Sequence, residues 1–233
     1  MEKQFDRGTL DLLERYTDQM DSSFIYTRYE SGFNWKVGME NIKDPLHVAC
    51  LHSSTFPDYF QVDLSAGDEG PGRDGMYRPR STSLPQATIS AHVKMVDAPV
   101  LDWHSMVYRL DCQGRYQVFH LFPNVNFMVV DGRSFAIQVY NPLAAGRTEM
   151  QMMVALTKQE SADFSYKPVV LWRHLVSDMT VLQEDIDCLE ALQSGLETAE
   201  SDFIHGAYEA GILDFQAVYL AQMQSAVVNE VAS

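Results

Sequence analysis

Between residues 87 and 157 the chain carries six short segments rich in β-branched and aromatic side chains, and this run limits the fold more than any other feature. Ala87–Met95, Ser105–Leu110, Arg115–Phe122, Val125–Val130, Ser134–Tyr140 and Thr148–Leu156 alternate in part between apolar and polar residues. That is the period of a strand with one buried face. Asp131–Gly132 is a hairpin-turn dipeptide and Gln113–Gly114 a weaker one, while Pro123–Asn124 and Asn141–Pro142 interrupt other junctions. Strands joined by connections this short pair antiparallel. Helical patterns flank the run: an amphipathic stretch at 5–18, another from Trp35 to about Ser53, and two more near 178–197 and 212–230. A strand at Phe24–Arg28, broken by Ser31–Gly32, lies between the first two. Grouped strands closed by long C-terminal helices predict an α+β domain, a curved antiparallel sheet wrapped on a helix. Residues 66–86, punctuated by Gly67, Gly70, Gly72 and Pro79, read as a long irregular loop, a length used for lids and contact surfaces.

At 233 residues and 46% hydrophobic, the chain can bury one full core, and a single domain over 1–233 is expected. The formal charge of −15 argues against nucleic acid or an anionic membrane as a partner, since both need a positive footprint. It suits either simple solubility or a basic face on another protein. No apolar run approaches the length of a bilayer span, and charged residues at the N-terminus exclude a secretory signal. Cys50, Cys112 and Cys188 are odd in number and widely spaced, against a disulfide framework. These features predict a cytoplasmic enzyme or binding protein.

Two clusters carry chemistry. The first is Asn34-Trp35-Lys36 followed by Glu40-Asn41, Asp44, His47 and His52. Imidazoles, a carboxylate and an amide are ligand types that first-row transition metals accept. On a straight helix a spacing of five leaves two side chains about 140° apart. His47 and His52 therefore meet at one metal only if the helix is irregular, and Pro45 supplies a reason for a break. Asp44-Pro45 is equally a helix start, in which case the histidines are ordinary partly buried residues.

The second cluster lies in 177–196. Ser177 or Asp178 can cap a helix whose buried stripe is Leu182, Ile186, Leu189, Leu192 and Leu196. Asp185 falls inside that stripe, whereas Glu184 and Asp187 project away from it. A carboxylate on a core-facing stripe costs several kcal/mol unless paired or bound to a cation. The partner is either a metal or a salt bridge to Arg173 or Lys167. Two histidines and one distant carboxylate match the facial triad of non-haem Fe(II) enzymes, which leaves positions open for O₂ and substrate.

The run NWKVGMENIKDPLHVACLH resembles the iron-binding segment of Rieske non-haem iron (aromatic-ring-hydroxylating) oxygenase α subunits. QEDIDCLEALQSGL resembles the C-terminal helix of that family, and Phe122-Pro123-Asn124 and Arg147-Thr148-Glu149 resemble smaller landmarks between. The resemblance spans about Asn34 to Leu196, in order. It implies a helix-grip (SRPBCC, Bet v 1-like) fold and mononuclear Fe(II) held by His47, His52 and Asp185. It further implies that Asp44 bridges to a Rieske centre on a neighbouring subunit, and that Asn41 is an amide near the iron. The implied reaction is hydroxylation, dihydroxylation or oxidative demethylation of an organic, aromatic substrate.

The departures from the family pattern matter. Pro45-Leu46 stands where many members have an aromatic residue before the first histidine. A [2Fe–2S] Rieske domain needs a Cys-x-His and Cys-x-x-His pair, and this chain lacks the pair. The cluster is therefore expected on a partner chain fed by a reductase, in a homo- or hetero-oligomer that is trimeric by resemblance. Phe119, Phe127, Val129, Trp172 and the methionines of Met150–Met153 are candidate pocket residues. His120 is a further candidate for the cavity, with His104 and His174 behind it. The rival readings are a metal-free helix-grip ligand-binding or scaffolding subunit, and a fragment of a longer oxygenase.

Overall fold

The computed structural model describes Phe5, residues 7–44, 46–55, 78–81, 90–96, 106–110, 116–159, 165–200, 204–206 and 209–231. The elements run α1 (Arg7–Thr17), β1 (Met20–Ser31), α2 (Trp35–Lys43), α3 (Leu46–Leu51), β2 (Arg78–Ser81), β3 (Ser90–Val96) and β4 (Tyr116–Leu121). They continue with β5 (Val125–Val130), β6 (Ser134–Ala144), β7 (Arg147–Thr157), α4 (Lys167–Leu196) and α5 (Ala210–Val231). The seven strands form one sheet in the order β1-β7-β6-β5-β4-β3-β2, every pair antiparallel. This is the predicted α+β, helix-grip architecture.

The sheet and α4 are matched in length. Lys167 at the start of α4 binds Asp21 on β1 at 2.7 Å, and Glu190 near its end accepts the Gly32 N–H at 2.7 Å. Between those ties the strand rises ~36 Å and the helix ~35 Å, so the two run side by side in the same direction. Because side chains alternate along each strand, one face of the sheet meets α4 and the other does not. Val118, Met128, Ala136, Tyr140, Met150, Met152 and Val154 pack on the α4 side with Leu175, Leu182, Ile186 and Leu189. Phe119, Phe127, Val129 and Phe135 lie on the opposite face, closed by Tyr16 of α1. Three of the candidate pocket residues, Phe119, Phe127 and Val129, are thus core on the face away from α4. Trp172 is 57% exposed on the outside of the helix, and Met150 and Met152 are fully packed.

The β5–β6 hairpin turns at Asp131 (φ 47°) and Gly132 (φ 66°), the left-handed pair that a two-residue turn requires. Four expectations need correction. Of the stretch Ser105–Leu110, the described residues 106–110 do not join the sheet: they spend hydrogen bonds on a turn and a side chain. The Leu110 N–H donates to Gly132 O at 2.8 Å, and Tyr108 O accepts from the Thr157 hydroxyl at 2.6 Å. The strand β6 continues through Asn141–Pro142 to Ala144, absorbing the proline with a register shift. Arg78–Ser81 is an edge strand inside the stretch read as loop, the rest of which lies outside the described residues, as does Gln113–Gly114. Finally, α4 begins at Lys167, with Pro168 in its first turn. Ser177 and Asp178 sit in its interior and cap nothing.

Candidate metal centre

Asn34 opens α2 by accepting the Lys36 N–H at 3.0 Å and ties the helix to the β6–β7 hairpin through Ala145 O at 2.5 Å. Gly38 then presses the helix backbone onto Tyr140: a Cβ built there would stand 2.7 Å from the ring. The helix ends at Asp44, whose N–H bonds to Glu40 O and Asn41 O. The same residue starts α3, its carboxylate accepting Leu46 N–H at 2.7 Å and His47 N–H at 3.2 Å. Pro45 itself lies outside the described residues, but α2 ends at Lys43 and α3 begins at Leu46, and the capping role of Asp44 coexists with the metal reading.

This junction brings the two imidazoles together. His47 lies on α3 and His52 just past its end, with ring centroids 5.2 Å apart and planes nearly perpendicular at 80°. Asp185 reaches them from α4: its Oδ1 is 3.1 Å from His52 Nε2 and 3.6 Å from His47 Nε2. One ligand atom from each of the three residues falls within 4.8 Å of the others. Asn41 joins them by donating to Asp185 Oδ1 at 2.9 Å.

The far nitrogens are also held. His47 Nδ1 lies 2.6 Å from Asp44 O, and a carbonyl only accepts, so the proton sits on Nδ1 and the Nε2 lone pair faces Asp185. His52 Nδ1 lies 2.7 Å from Glu184 Oε2, which also accepts from Thr55 at 2.7 Å. Glu184 was expected to project away; its long side chain instead bends back beside Asp185. No periodicity shows this. The general demand of a metal-bound imidazole for an acceptor behind it is the signal that points there. Burial works against a proton on His52, but Asp185 and Glu184 together hold its pKa above the ordinary histidine value. Burial also opposes charge on Glu184, yet hydrogen bonds from His52 and Thr55 leave its pKa lowered.

The alternative salt bridge for Asp185 is not made. Lys167 is taken by Asp21, Arg173 is exposed, and the nitrogens around Asp185 among the described residues belong to His47, His52 and Asn41. His120 is buried and bound through Nδ1 to Asn126 at 2.7 Å, outside the cluster. His174 lies deeper along α4 beside Asp178, and His104 is outside the described residues. Cys50-Leu51-His52 has Cys-x-His spacing, but no Cys-x-x-His exists to complete a cluster site. On the outer side Asn41 and Asp44 line a recess of about 250 Å³ between α2, α4 and α5, with Glu40, Leu189 and Gln216.

A sequence profile of the ring hydroxylating alpha subunit (catalytic domain) matches residues 18–225. The chain belongs to this family. Catalytic domains of the ring-hydroxylating α subunits bind mononuclear iron, and their Rieske cluster lies in a separate domain. Among solved structures, the quaternary ammonium Rieske monooxygenase CntA with L-carnitine superposes with a TM-score of 0.58 at 19% identity, over 95% of this chain and 54% of that one. CntA with the inhibitor MMV12 gives 0.59 at 18% identity, over 95% and 55%. NdmA of Pseudomonas putida CBB5 with caffeine gives 0.55 at 14% identity, over 84% and 50%. At these identities the likeness is one of fold. The chain spans about half the length of those proteins. No curated protein sequence matches it. Among the described residues, no helix is long and apolar enough to cross a membrane.

Proposed function

We propose that the protein is the catalytic component of a Rieske-type oxygenase, with His47, His52 and Asp185 holding one Fe(II). The observation that supports this best is the convergence of two imidazoles and one buried carboxylate within 4.8 Å, on a carboxylate that no lysine or arginine among the described residues neutralises. Two nitrogens and one oxygen are the donor set non-haem Fe(II) takes, so the residues fit the ion. Bound there, the iron supplies reductive activation of O₂ for insertion into an organic, aromatic substrate, by hydroxylation or oxidative demethylation. The chain's own residues do the rest. Asp44 O fixes the tautomer of His47, Glu184 keeps His52 oriented, and the Asn41 amide holds Asp185 in place. Apolar packing of α4 on the sheet excludes bulk water from this side of the cluster.

Electrons come from a Rieske [2Fe–2S] centre on a partner chain in an oligomer, itself supplied by a reductase. Asp44 is the route, since it touches His47 on one side and lines the open recess on the other. Metal analysis of protein purified without oxygen, beside Asp185→Ala, tests the assignment. About one iron per chain, lost in the variant, is expected from a three-ligand site. No iron in either, even after anaerobic reconstitution, leaves a metal-free helix-grip binding protein.

A further inference from the structure

The two edges of the sheet are built differently. At one edge β2 is four residues long and reads Arg-Pro-Arg-Ser. Shortness, charge and proline are the usual means of keeping an edge from pairing with another chain. At the other edge β1 lacks them. After an irregularity between Met20 and Phe24 it runs to Ser31 in unbroken register with β7, without proline, glycine or lysine. Among the described residues no strand pairs with its outer side, so a row of N–H and C=O groups there points away from the sheet. Ile25 and Tyr29 pack into the core under α4, which leaves Phe24 and Tyr26 on the opposite face, 57% and 49% exposed.

A second apolar surface lies beside the same edge. α4 packs over β1 and β7, while α2 sits on β6, further from the edge. On its inner flank α4 meets Asn41 through Asp185 and His52 through Glu184. Trp172 is about 140° round the helix from Asp185, with Val176 one turn further along. That outer flank overhangs β1, and both side chains are exposed.

One occupant that covers both surfaces is a second copy of the chain. A two-fold axis through the sheet pairs β1 with β1 antiparallel and keeps every side chain on its own face, so even-numbered residues stand opposite even-numbered ones. With the axis at Thr27, Tyr26 stands opposite Arg28 of the second copy and Phe24 opposite Glu30, each twice, and no like charges are directly opposed. Moving the axis to Arg28 would set two guanidinium groups against each other. The same axis suits the helices. Thr27 is ~20 Å along β1 from Asp21, and Thr180 is ~20 Å along α4 from Lys167, the residues whose ion pair aligns the two elements. Strands are spaced ~4.8 Å apart, so a helix over β1 and β7 stands ~5 Å from the axis. The two copies of α4 then lie ~10 Å apart, a distance at which helices pack, with Trp172 and Val176 of each turned toward the other. Phe24, Tyr26 and Trp172, each about half exposed, offer ~300 Å² per copy. Val176 and the strand edge add to that, toward the ~800 Å² per partner of a stable pair.

We infer that the protein associates with a second copy of itself through β1, in one continuous sheet with the two α4 helices side by side. The contact does not depend on the metal centre. Chains of charge −15 repel each other at long range, so the association should tighten as salt is added.

Sedimentation equilibrium at micromolar concentration and moderate salt is expected to show an assembly with an even number of chains. Tyr26→Lys sets a like charge opposite Arg28 at two symmetry-related places. It should weaken the association about tenfold at each, about a hundredfold in all, and halve the mass observed. The substitution also brings the net charge nearer zero, so a general charge effect would act in the opposite sense. Adding Arg28→Glu restores opposite charges across the axis and is expected to recover the assembly. Trp172→Ser tests the helix contact separately and should weaken the association about tenfold. Far-UV circular dichroism of all three variants should match wild type, showing that each still folds. A monomeric wild type, or a ring with an odd number of chains, overturns the inference. So does an assembly that Tyr26→Lys leaves intact, or a folded double variant that stays apart. Iron content enters none of these outcomes, so this inference and the oxygenase reading fail separately.

Discussion

Two consecutive acids on α4 grip opposite edges of one imidazole: Asp185 faces His52 Nε2 at 3.1 Å and Glu184 faces Nδ1 at 2.7 Å. A carboxylate behind a ligating histidine fixes the ring and raises its basicity, and removing such a group typically costs about 10–100-fold in metal affinity. Glu184→Ala should show that loss in a chelator-competition titration with Fe(II). Glu184→Gln, which still offers an oxygen, should recover part of it. Equal affinities in all three proteins would make Glu184 a surface residue only. A second residue-scale expectation concerns His174 and Asp178. The folded Asp178 titrates at about 8 against 3.8 when free, so its stabilising contribution is present in acid and lost as pH rises toward 8. His174 titrates at about 4 against 6.5, so its contribution is lost as pH falls below 6.5. From 4 to 6.5 the folded and unfolded pair bind the same number of protons, and the two effects cancel. Above 6.5 only the folded pair retains a proton, and stability should fall by about 2 kcal/mol by pH 8. Urea unfolding of Asp178→Asn should be flat over that interval and should weaken only below it. A variant that declines like wild type would rule out the neutral pair.

At the scale of elements, the short strands of the middle region were legible from their β-branched and aromatic residues rather than from alternation, since β5 is buried on both faces. Val125–Val130 and Thr148–Leu156 appear almost at their expected bounds. The long helix was legible only in its second half. Its first three turns put Val169, Trp172 and Val176 on the solvent side, 60%, 57% and 42% exposed, and apolar residues outside erase the amphipathic period. Ser177 and Asp178 then look like a start because their side chains favour caps. The segment at 105–110 errs in the opposite sense: alternation without a partner strand does not make a strand. The element on which the metal centre depends most is α2, which carries Asn41 and leads into the corner at Asp44. Its seat on Tyr140 needs the missing side chain of Gly38. Gly38→Ala gains helix propensity but must push the Tyr140 ring or lift the helix, and overpacking of this kind costs about 1–3 kcal/mol. A fall in Tm together with weaker Fe(II) binding is expected. A rise in Tm would mean that the ring yields and the contact sets no position.

Across the whole molecule, the metal cluster was readable from two motifs about 140 residues apart because each contains residues with no cheaper role on a buried face. Asp185 declared itself by sitting inside an apolar stripe. Glu184 did not, since what it touches comes from another element. The proposed route for electrons is likewise a property of the assembled chain: Asp44 joins the cluster to the recess only because α2, α4 and α5 meet there. Asp44→Asn separates its roles. Asparagine still caps α3 and leaves the backbone carbonyl on His47 unchanged, so the fold and iron content should survive. The charge facing a docked partner is removed. Turnover driven by a Rieske protein and reductase is expected to drop by about tenfold or more, given what a charge at such a contact is worth. A single turnover driven by a small chemical reductant, which needs no docking, should stay near the wild-type yield. If both drop together, Asp44 serves the iron site itself. If neither does, electrons enter by another face and the recess between α2, α4 and α5 is no part of the route.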